Sequence, residues 1–241
     1  MPQPNSTRRT LGVSFIQGLV RWFFRILLTI FYRVRVHGLK NYPKRDGFLV
    51  CSNHQSFLDP IVLGVVCPRP VNYLGRKTLF RFPPLALFLS LNDTIPIDRD
   101  ANSIGGMKET MRRLKKGESV VMFPEGTRSG DGELQPLLPG FCPLARRTKA
   151  ALMPIGIAGA FQAYPRDTLL PKPGFIHAVM GSPILYSQYQ DLTDDEVTEL
   201  LANRIQVCFE SAKAHWQHST GNSSLILGES DDLRPAEVEL L

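Results

Sequence analysis

The chain has 241 residues, of which 43% are hydrophobic and 21% are charged, a composition typical of one folded domain of ordinary size. Its formal net charge of +6 predicts a negatively charged partner, such as nucleic acid, an anionic membrane surface or a phosphorylated small molecule. The four cysteines are widely spaced without a CxxC pair, which argues against a zinc site and a disulfide-stapled secreted scaffold and favours reduced thiols in the cytosol.

Residues 1–34 are predicted to form an amphipathic helix that lies in the membrane interface. Residues 1–45 contain nine Lys or Arg and no acidic residue, and residues 11–32 lack the roughly 18 uninterrupted apolar positions of a spanning helix. Polar residues recur every three or four positions, at Ser14, Gln17, Arg21, Arg25 and Thr29. The opposite side is apolar, with Phe15, Leu19, Trp22, Phe23, Ile26, Leu27, Ile30 and Phe31. Such a helix binds headgroups with its basic residues and acyl chains with its apolar face.

Two other interpretations of this segment are open. In the first, the helix packs on the core of its own domain. In the second, the segment is a signal peptide, since Arg8 and Arg9 precede an apolar stretch. No A-x-A-like cleavage site follows, and Arg21 and Arg25 interrupt the apolar run. We expect deletion of residues 1–34 to release the protein from the membrane. Unchanged association would place the anchor elsewhere, for instance in the apolar residues 80–91.

Residues 35–218 are predicted to form an α/β domain, because short apolar runs alternate with helical patterns. The candidate strands are 48–52, 71–74, 94–98, 120–123, 152–157 and 175–180. One helix is expected between Ser103 and Gly117, and a capping box at Thr193 opens another that runs to about residue 215. Strands separated by helices indicate a mostly parallel central sheet with helices on both faces. Residues 219–241 are polar and then acidic, and are predicted to be a flexible acidic tail.

A histidine and an aspartate follow the first strand of this domain. His54 and Asp59 are five residues apart across a predicted strand-to-helix turn, where a carboxylate can fix the imidazole tautomer and leave the other ring nitrogen as a base. No nucleophile is evident, and the hydroxyl of a substrate would be able to supply the attacking group. The alternative is structural, because Asp59 followed by Pro60 also fits a helix N-cap.

Charged residues also follow other strands. In residues 123–129, Gly126 permits a turn that presents the Glu125 carboxylate and the Arg128 guanidinium, whose planar fork suits a phosphate monoester. A surface turn with a local ion pair is the alternative. Lys77 and Arg99 follow two further strand ends, so that together these groups favour a convergent anion site.

Together these residues resemble the glycerolipid acyltransferase family, which includes lysophosphatidic acid acyltransferases. The third family motif, FPEGTRS, is unchanged here, and the first, NHxxxxD, is complete. The four motifs follow the family's order and lie at 53–59, 95–99, 123–129 and 152–157, and residues 75–80 also look like the family's segment between the first two. The resemblance covers roughly residues 35–215 and implies a glycerol-3-phosphate acyltransferase-like fold.

The resemblance implies a role for each motif residue. His54 would be the general base and Asp59 its orienting partner. The acceptor would be held by Glu125, Gly126, Thr127 and Arg128, with Arg99 and Lys77 adding positive charge for its phosphate. No metal or cofactor is implied, and acyl-CoA or acyl carrier protein would be the co-substrate. Gly130 and the run 136–139 replace basic residues that many members carry, which puts the identity of the acceptor in question.

These expectations combine into one functional hypothesis. The protein would transfer a fatty acyl chain from a thioester to the free hydroxyl of lysophosphatidate, giving phosphatidate at the cytoplasmic face of the cell membrane. Alternatives are another lyso-lipid acceptor, an acyl thioesterase, a Cys51–His54 nucleophile, or a non-catalytic lipid-binding protein. Nucleic acid is disfavoured, because the basic residues cluster on the predicted membrane helix and no nucleic-acid-binding motif is present.

Overall fold

A seven-stranded sheet organises the part of the chain that the computed structural model describes, namely residues 11–76, 94–97, 104–165, 168 and 170–221. Its strands are β1 (Arg35–His37), β2 (Phe48–Ser52), β3 (Val71–Arg76), β4 (Ile95–Ile97), β5 (Ser119–Met122), β6 (Ala151–Ala158) and β7 (His177–Met180). Their order is β1-β7-β6-β2-β5-β3-β4. Every neighbouring pair is parallel except β6 and β7. The predicted mostly parallel α/β sheet is therefore confirmed.

Helices connect and cover these strands. They are α1 (Leu11–Tyr32), α2 (Asp59–Val66), α3 (Ile104–Lys115), α4 (Cys142–Thr148), α5 (Ala160–Ala163) and α6 (Asp194–Thr220), with short 3₁₀ turns at Leu39–Asn41, Pro139–Phe141 and Tyr186–Gln188. The capping box at Thr193 is present, since its hydroxyl accepts from the Glu196 N–H and the Glu196 carboxylate accepts from the Thr193 N–H. Helix α6 ends at Thr220, beyond the predicted end at 215, and Gly221 follows it with a φ of 71°, the left-handed conformation that terminates many helices.

Both faces of the sheet are buried under helices, as the sequence predicted. In β2, Phe48 and Val50 join one core with residues of α1 and α2, whereas Leu49 and Cys51 join a second core with residues of α3, α4 and α6. Successive side chains of a strand point to opposite faces, so a strand that is apolar at nearly every position belongs in the middle of such a sandwich. β2 is also the middle strand in the order of the sheet.

The first strand was not predicted. β1 has three residues, is half exposed at the edge of the sheet, and carries too few apolar side chains for a pattern to emerge. Its His37 ring stacks on His215 of α6, with ring centroids 3.8 Å apart, and its Nε2 lies 3.1 Å from Nδ1 of His177 in β7. Burial, with the neighbouring imidazoles, lowers the pKa of His177 to about 4. These rings tie the edge strand to the sheet and to α6.

Helix α1 packs one side on the domain and exposes another. Leu28 and Tyr32 are buried, and the carbonyls of Phe31 and Tyr32 accept hydrogen bonds from the N–H groups of Gly174 and Ile176. The side chains at 11–17, 20 and 21, which include Ser14, Gln17, Arg21 and Phe15, lie outside the described residues. The exposed stripe of α1 consists of Leu19, Trp22, Phe23, Ile26 and Ile30. Within the described ranges, no helix is both long and apolar enough to cross a membrane.

Several predicted features fall where the structure gives no description. These are the candidate anchor at 80–91, the cap Ser103, the side chains Lys77 and Arg99, and residues 222–241 of the predicted tail.

Candidate active site

Two neighbouring strands bring the motif loops together. β2 and β5 are parallel and adjacent, with Cys51 opposite Met122, so the loop that starts at Asn53 and the turn that starts at Phe123 leave the same edge of the sheet. Side chains at the carboxyl ends of adjacent parallel strands face a common crevice. His54 and Glu125 are 71 positions apart in the chain, yet the N–H of His54 donates directly to the Glu125 carboxylate. The fold therefore joins the first and third motifs into one site.

His54 and Asp59 form the predicted pair. Nδ1 of His54 lies 2.9 Å from Oδ2 of Asp59, and the aspartate side chain is completely buried whereas that of His54 is 18% exposed. A carboxylate oxygen accepts, so Nδ1 carries the proton and Nε2 is the basic nitrogen. The arrangement can therefore take a proton from a substrate hydroxyl and return it to a leaving group.

Asp59 does not cap helix α2. The helix starts at this residue with Pro60 in its first turn, but the structure shows no capping hydrogen bond from a side chain. Oδ2 instead accepts from the N–H groups of Gln55 and Ser56, at 2.6 and 2.7 Å. The carboxylate thus folds the loop back under the imidazole, which excludes the capping interpretation.

The turn at 123–129 encloses His54. The N–H of Gly126 donates to the carbonyl of Phe123 at 3.0 Å, and Gly126 has a φ of 71°, which favours glycine. The Phe123 ring stacks on the His54 imidazole with centroids 4.0 Å apart. The N–H of Ser129 donates to the His54 carbonyl at 2.7 Å. The turn thus contacts both the ring and the main chain of the histidine.

Glu125 lies beneath this turn and is 5% exposed. Its Oε1 accepts from the N–H of His54 at 2.6 Å, and its Oε2 accepts from the N–H of Gln135 at 3.1 Å. Burial raises the pKa of Glu125 to about 7, although both amides favour the charged form. Both carboxylate oxygens thus accept from the protein's own backbone, and the contact of Glu125 with an acceptor stays a prediction.

Two other predicted binding residues, Thr127 and Arg128, lie in the turn at 123–129 that contacts His54. Arg128 is half buried, with its guanidinium carbon 3.5 Å from the centroid of the Phe57 ring, and Thr127 is exposed. Phe57 itself is 51% exposed and follows His54 in the same loop. Stacking on an aromatic face orients a guanidinium, whose planar edge is the part that recognises anions. The sheet order places β3 next to β5 and β4 beyond it, and these strands precede Lys77 and Arg99.

Asn53 is a site residue whose role the sequence did not reveal. It is fully buried, and its amide pairs with the backbone of Ile157 through both its Nδ2 and its Oδ1, at 2.9 and 2.8 Å. This contact continues the β2–β6 ladder beyond Ser52, which is paired with Ile155. The amide therefore holds the start of the His54 loop on β6. Its position before the histidine in NHxxxxD was the one available signal.

Cys51 is fully buried in β2, where burial raises the pKa of its thiol. A thiolate is the reactive form of cysteine, so this environment opposes a Cys51–His54 nucleophile. The described residues also contain no cluster of three or more His, Cys, Asp or Glu that could hold a metal ion.

Comparisons with known proteins identify the family of this chain. The model of the family described as Acyltransferase matches residues 33–158. A 1-acyl-sn-glycerol-3-phosphate acyltransferase of Bacillus subtilis is 30% identical over 187 residues, which cover 76% of this chain and 91% of that protein. A chloroplastic 1-acyl-sn-glycerol-3-phosphate acyltransferase of Arabidopsis thaliana is 35% identical over 175 residues, 71% of this chain and 49% of that protein. The chain thus spans about half the length of this plant relative.

The fold also matches a solved structure. The crystal structure of the 1-acyl-sn-glycerophosphate acyltransferase from Thermotoga maritima superposes with a TM-score of 0.75. The match covers 88% of this chain and 86% of that one at 23% sequence identity, and it shows the likeness of the fold.

Proposed function

Because the chain belongs to the acyltransferase family, we propose that it transfers a fatty acyl chain from an acyl thioester to the free hydroxyl of lysophosphatidate, giving phosphatidate. The observation that carries this proposal is the contact of His54 Nδ1 with Asp59 Oδ2 at 2.9 Å, with part of the imidazole open to solvent. The names of the relatives support the enzyme class, 1-acylglycerol-3-phosphate O-acyltransferase. The guanidinium of Arg128 suits the acceptor's phosphate.

In the proposed mechanism, Nε2 of His54 removes the proton of the acceptor hydroxyl as its oxygen attacks the thioester carbonyl. Asp59 stabilises the resulting imidazolium. The C–S bond then breaks, the ester remains on the acceptor, and the imidazolium gives its proton to the departing thiolate. A general base contributes about 10²–10⁴-fold to such a rate, so the positioning of the two substrates supplies much of the remainder. A thiolate leaves readily, so the proposed reaction needs neither a metal nor a cofactor besides the acyl-CoA or acyl carrier protein.

The function is tested by incubating the protein with lysophosphatidate and either acyl-CoA or acyl carrier protein, and detecting products by mass spectrometry. We expect phosphatidate to form, and the faster donor identifies the co-substrate. Free fatty acid as the sole product would identify a thioesterase instead, since water would then replace the acceptor. If acyl transfer occurs only to a different lyso-lipid of a panel, the proposed reaction is correct and that lyso-lipid is the acceptor.

The exposed stripe of α1 supports a location on the membrane. The side chains of Trp22 and Ile30 in this stripe are 61% and 66% exposed, and the other side of the helix is packed on the domain. Arg25 and Arg33 are exposed on the same helix and at its end. Basic residues near an anionic surface each contribute about 1 kcal/mol to binding. We propose that the protein lies at the cytoplasmic face of the cell membrane as a peripheral or monotopic enzyme, where an amphiphilic acceptor would arrive without crossing water.

We expect the triple substitution Trp22→Ser, Ile26→Ser and Ile30→Ser to weaken binding to anionic lipid vesicles by at least about 10²-fold. Each apolar side chain contributes about 1.5–3 kcal/mol when buried in an apolar phase. The measurement is vesicle co-sedimentation, together with turnover in detergent, which is expected to stay near the wild-type value.

Val207→Ser is the matched control, because Val207 is 69% exposed on α6, away from the stripe. Unchanged vesicle binding of the triple variant would place the anchor elsewhere. Deletion of residues 1–34 is the less informative experiment, since it also removes the buried side chains Leu28 and Tyr32 from the core.

A further inference from the structure

We infer that Glu125 is a positioning residue that holds the main chain of His54 in place for proton transfer, instead of a residue that binds the acceptor. This assignment rests on the proposed function, because it gives Glu125 a part in the same acyl transfer. Its basis is the carboxylate that joins the N–H of His54 to the N–H of Gln135, on a side chain that is 5% exposed.

The turn holds His54 through both of its backbone polar groups. Glu125 accepts from the N–H at 2.6 Å, and the N–H of Ser129 donates to the carbonyl at 2.7 Å. The Asp59 carboxylate restricts the rotation of the imidazole. The backbone N–H groups from which this carboxylate accepts hydrogen bonds belong to Gln55 and Ser56. The position of the His54 Cα therefore depends on the turn, whereas the orientation of its ring depends on Asp59 and on stacking with Phe123.

A carboxylate is chemically required at this position. Both partners are N–H donors, and an ionised carboxylate offers acceptor sites on both oxygens and no donor. Glutamine has the same shape but would turn its NH₂ group toward one of the two amides. That amide would then lose its acceptor at a partly buried position, which is more costly than the loss of an exposed hydrogen bond. Burial and the neighbouring carboxylates Asp59 and Asp131 raise the pKa of Glu125, whereas the two backbone amides oppose this rise because they favour the charged form.

Steady-state kinetics separate the two roles of Glu125. For Glu125→Gln we expect kcat to fall by about 10²-fold, since a displacement of the base by about 1 Å has an effect of this size. The KM for lysophosphatidate should stay within about threefold of the wild-type value. Glu133→Gln is the matched control, because Glu133 is exposed and forms a surface ion pair with Lys213. A raised KM with unchanged kcat would overturn the inference and return Glu125 to acceptor binding.

Amide hydrogen exchange tests the same inference without any turnover. In Glu125→Gln, the peptide that contains residues 53–59 should exchange faster than in the wild type, whereas in Glu133→Gln it should be unchanged. Equal exchange in the wild type and Glu125→Gln would overturn the positioning role. If the wild type transferred no acyl group to any acceptor, the proposed function would fail, and the exchange rates would still decide whether Glu125 holds the His54 loop.

Discussion

His54→Ala is expected to lower kcat for acyl transfer by at least about 10³-fold, because it removes the proposed base while the remaining groups of the site stay in place. The imidazole is 18% exposed and its truncation opens the crevice without removing a buried side chain of the core. Asp59 keeps the two N–H donors of Gln55 and Ser56. The melting temperature and vesicle binding should therefore change little, and the rate of phosphatidate formation measured by mass spectrometry should fall in proportion to kcat.

The control for this variant is His218→Ala, because His218 is an exposed histidine near the end of α6, far along the chain from the motif loops. It should retain the wild-type rate. Full activity of His54→Ala would refute the general-base mechanism. Loss of transfer together with a large fall in melting temperature would instead reveal that the variant is unfolded, so both quantities are measured on the same preparation.

Gly156→Ala is expected to destabilise the protein by about 3 kcal/mol or more, which is at the upper end for overpacking of a core. Gly156 lies in β6 directly under α6, and a Cβ there would approach the backbone N of Phe209 to 2.2 Å and the carbonyl carbon of Cys208 to 2.3 Å. Backbone atoms cannot rotate away, so α6 would have to move off the sheet. The melting temperature should fall by roughly 6–12 °C, as expected for a chain of this length.

Gly105→Ala serves as the matched control for this substitution. Gly105 lies near the start of α3, and the methyl group that alanine would add meets nothing within 4 Å among the described residues. Alanine should therefore be tolerated there or raise stability by about 0.5–1 kcal/mol. Thermal unfolding of both variants separates steric overlap from the general effect of replacing glycine. An unchanged melting temperature for Gly156→Ala would show that α6 is free to shift on the sheet.

Patterns along the chain predicted most of the regular structure. The strand at 48–52 was predicted at its observed bounds, since it is a short apolar run that is buried on both faces. The capping box at Thr193 predicted the start of α6, because both of its hydrogen bonds are local. β1 was missed, since its three residues owe their strand conformation to pairing with β7, which lies near the other end of the domain in the chain.

The site was predicted in part. The spacing of His54 and Asp59 predicted their contact, because five residues across a turn limit where a carboxylate can lie. Glu125 was predicted to bind the acceptor, and its hydrogen bond with the backbone of His54 was not predicted. Spacing could not reveal this, since whether a carboxylate is buried depends on the segments that surround it. Lys77 and Arg99 lie outside the described residues and stay predictions.

The sequence by itself determined the residue types of the site, the family and the positions where strands end, because these depend on side-chain chemistry and on local periodicity. The tertiary structure decided which strand ends are neighbours. β2 pairs with β5 and with β6, although neither is the next strand in the chain, and this order places the turn of Glu125 against His54 and Asn53 against Ile157. Sheet order results from the packing of helices on two faces, so no local pattern of residues specifies it.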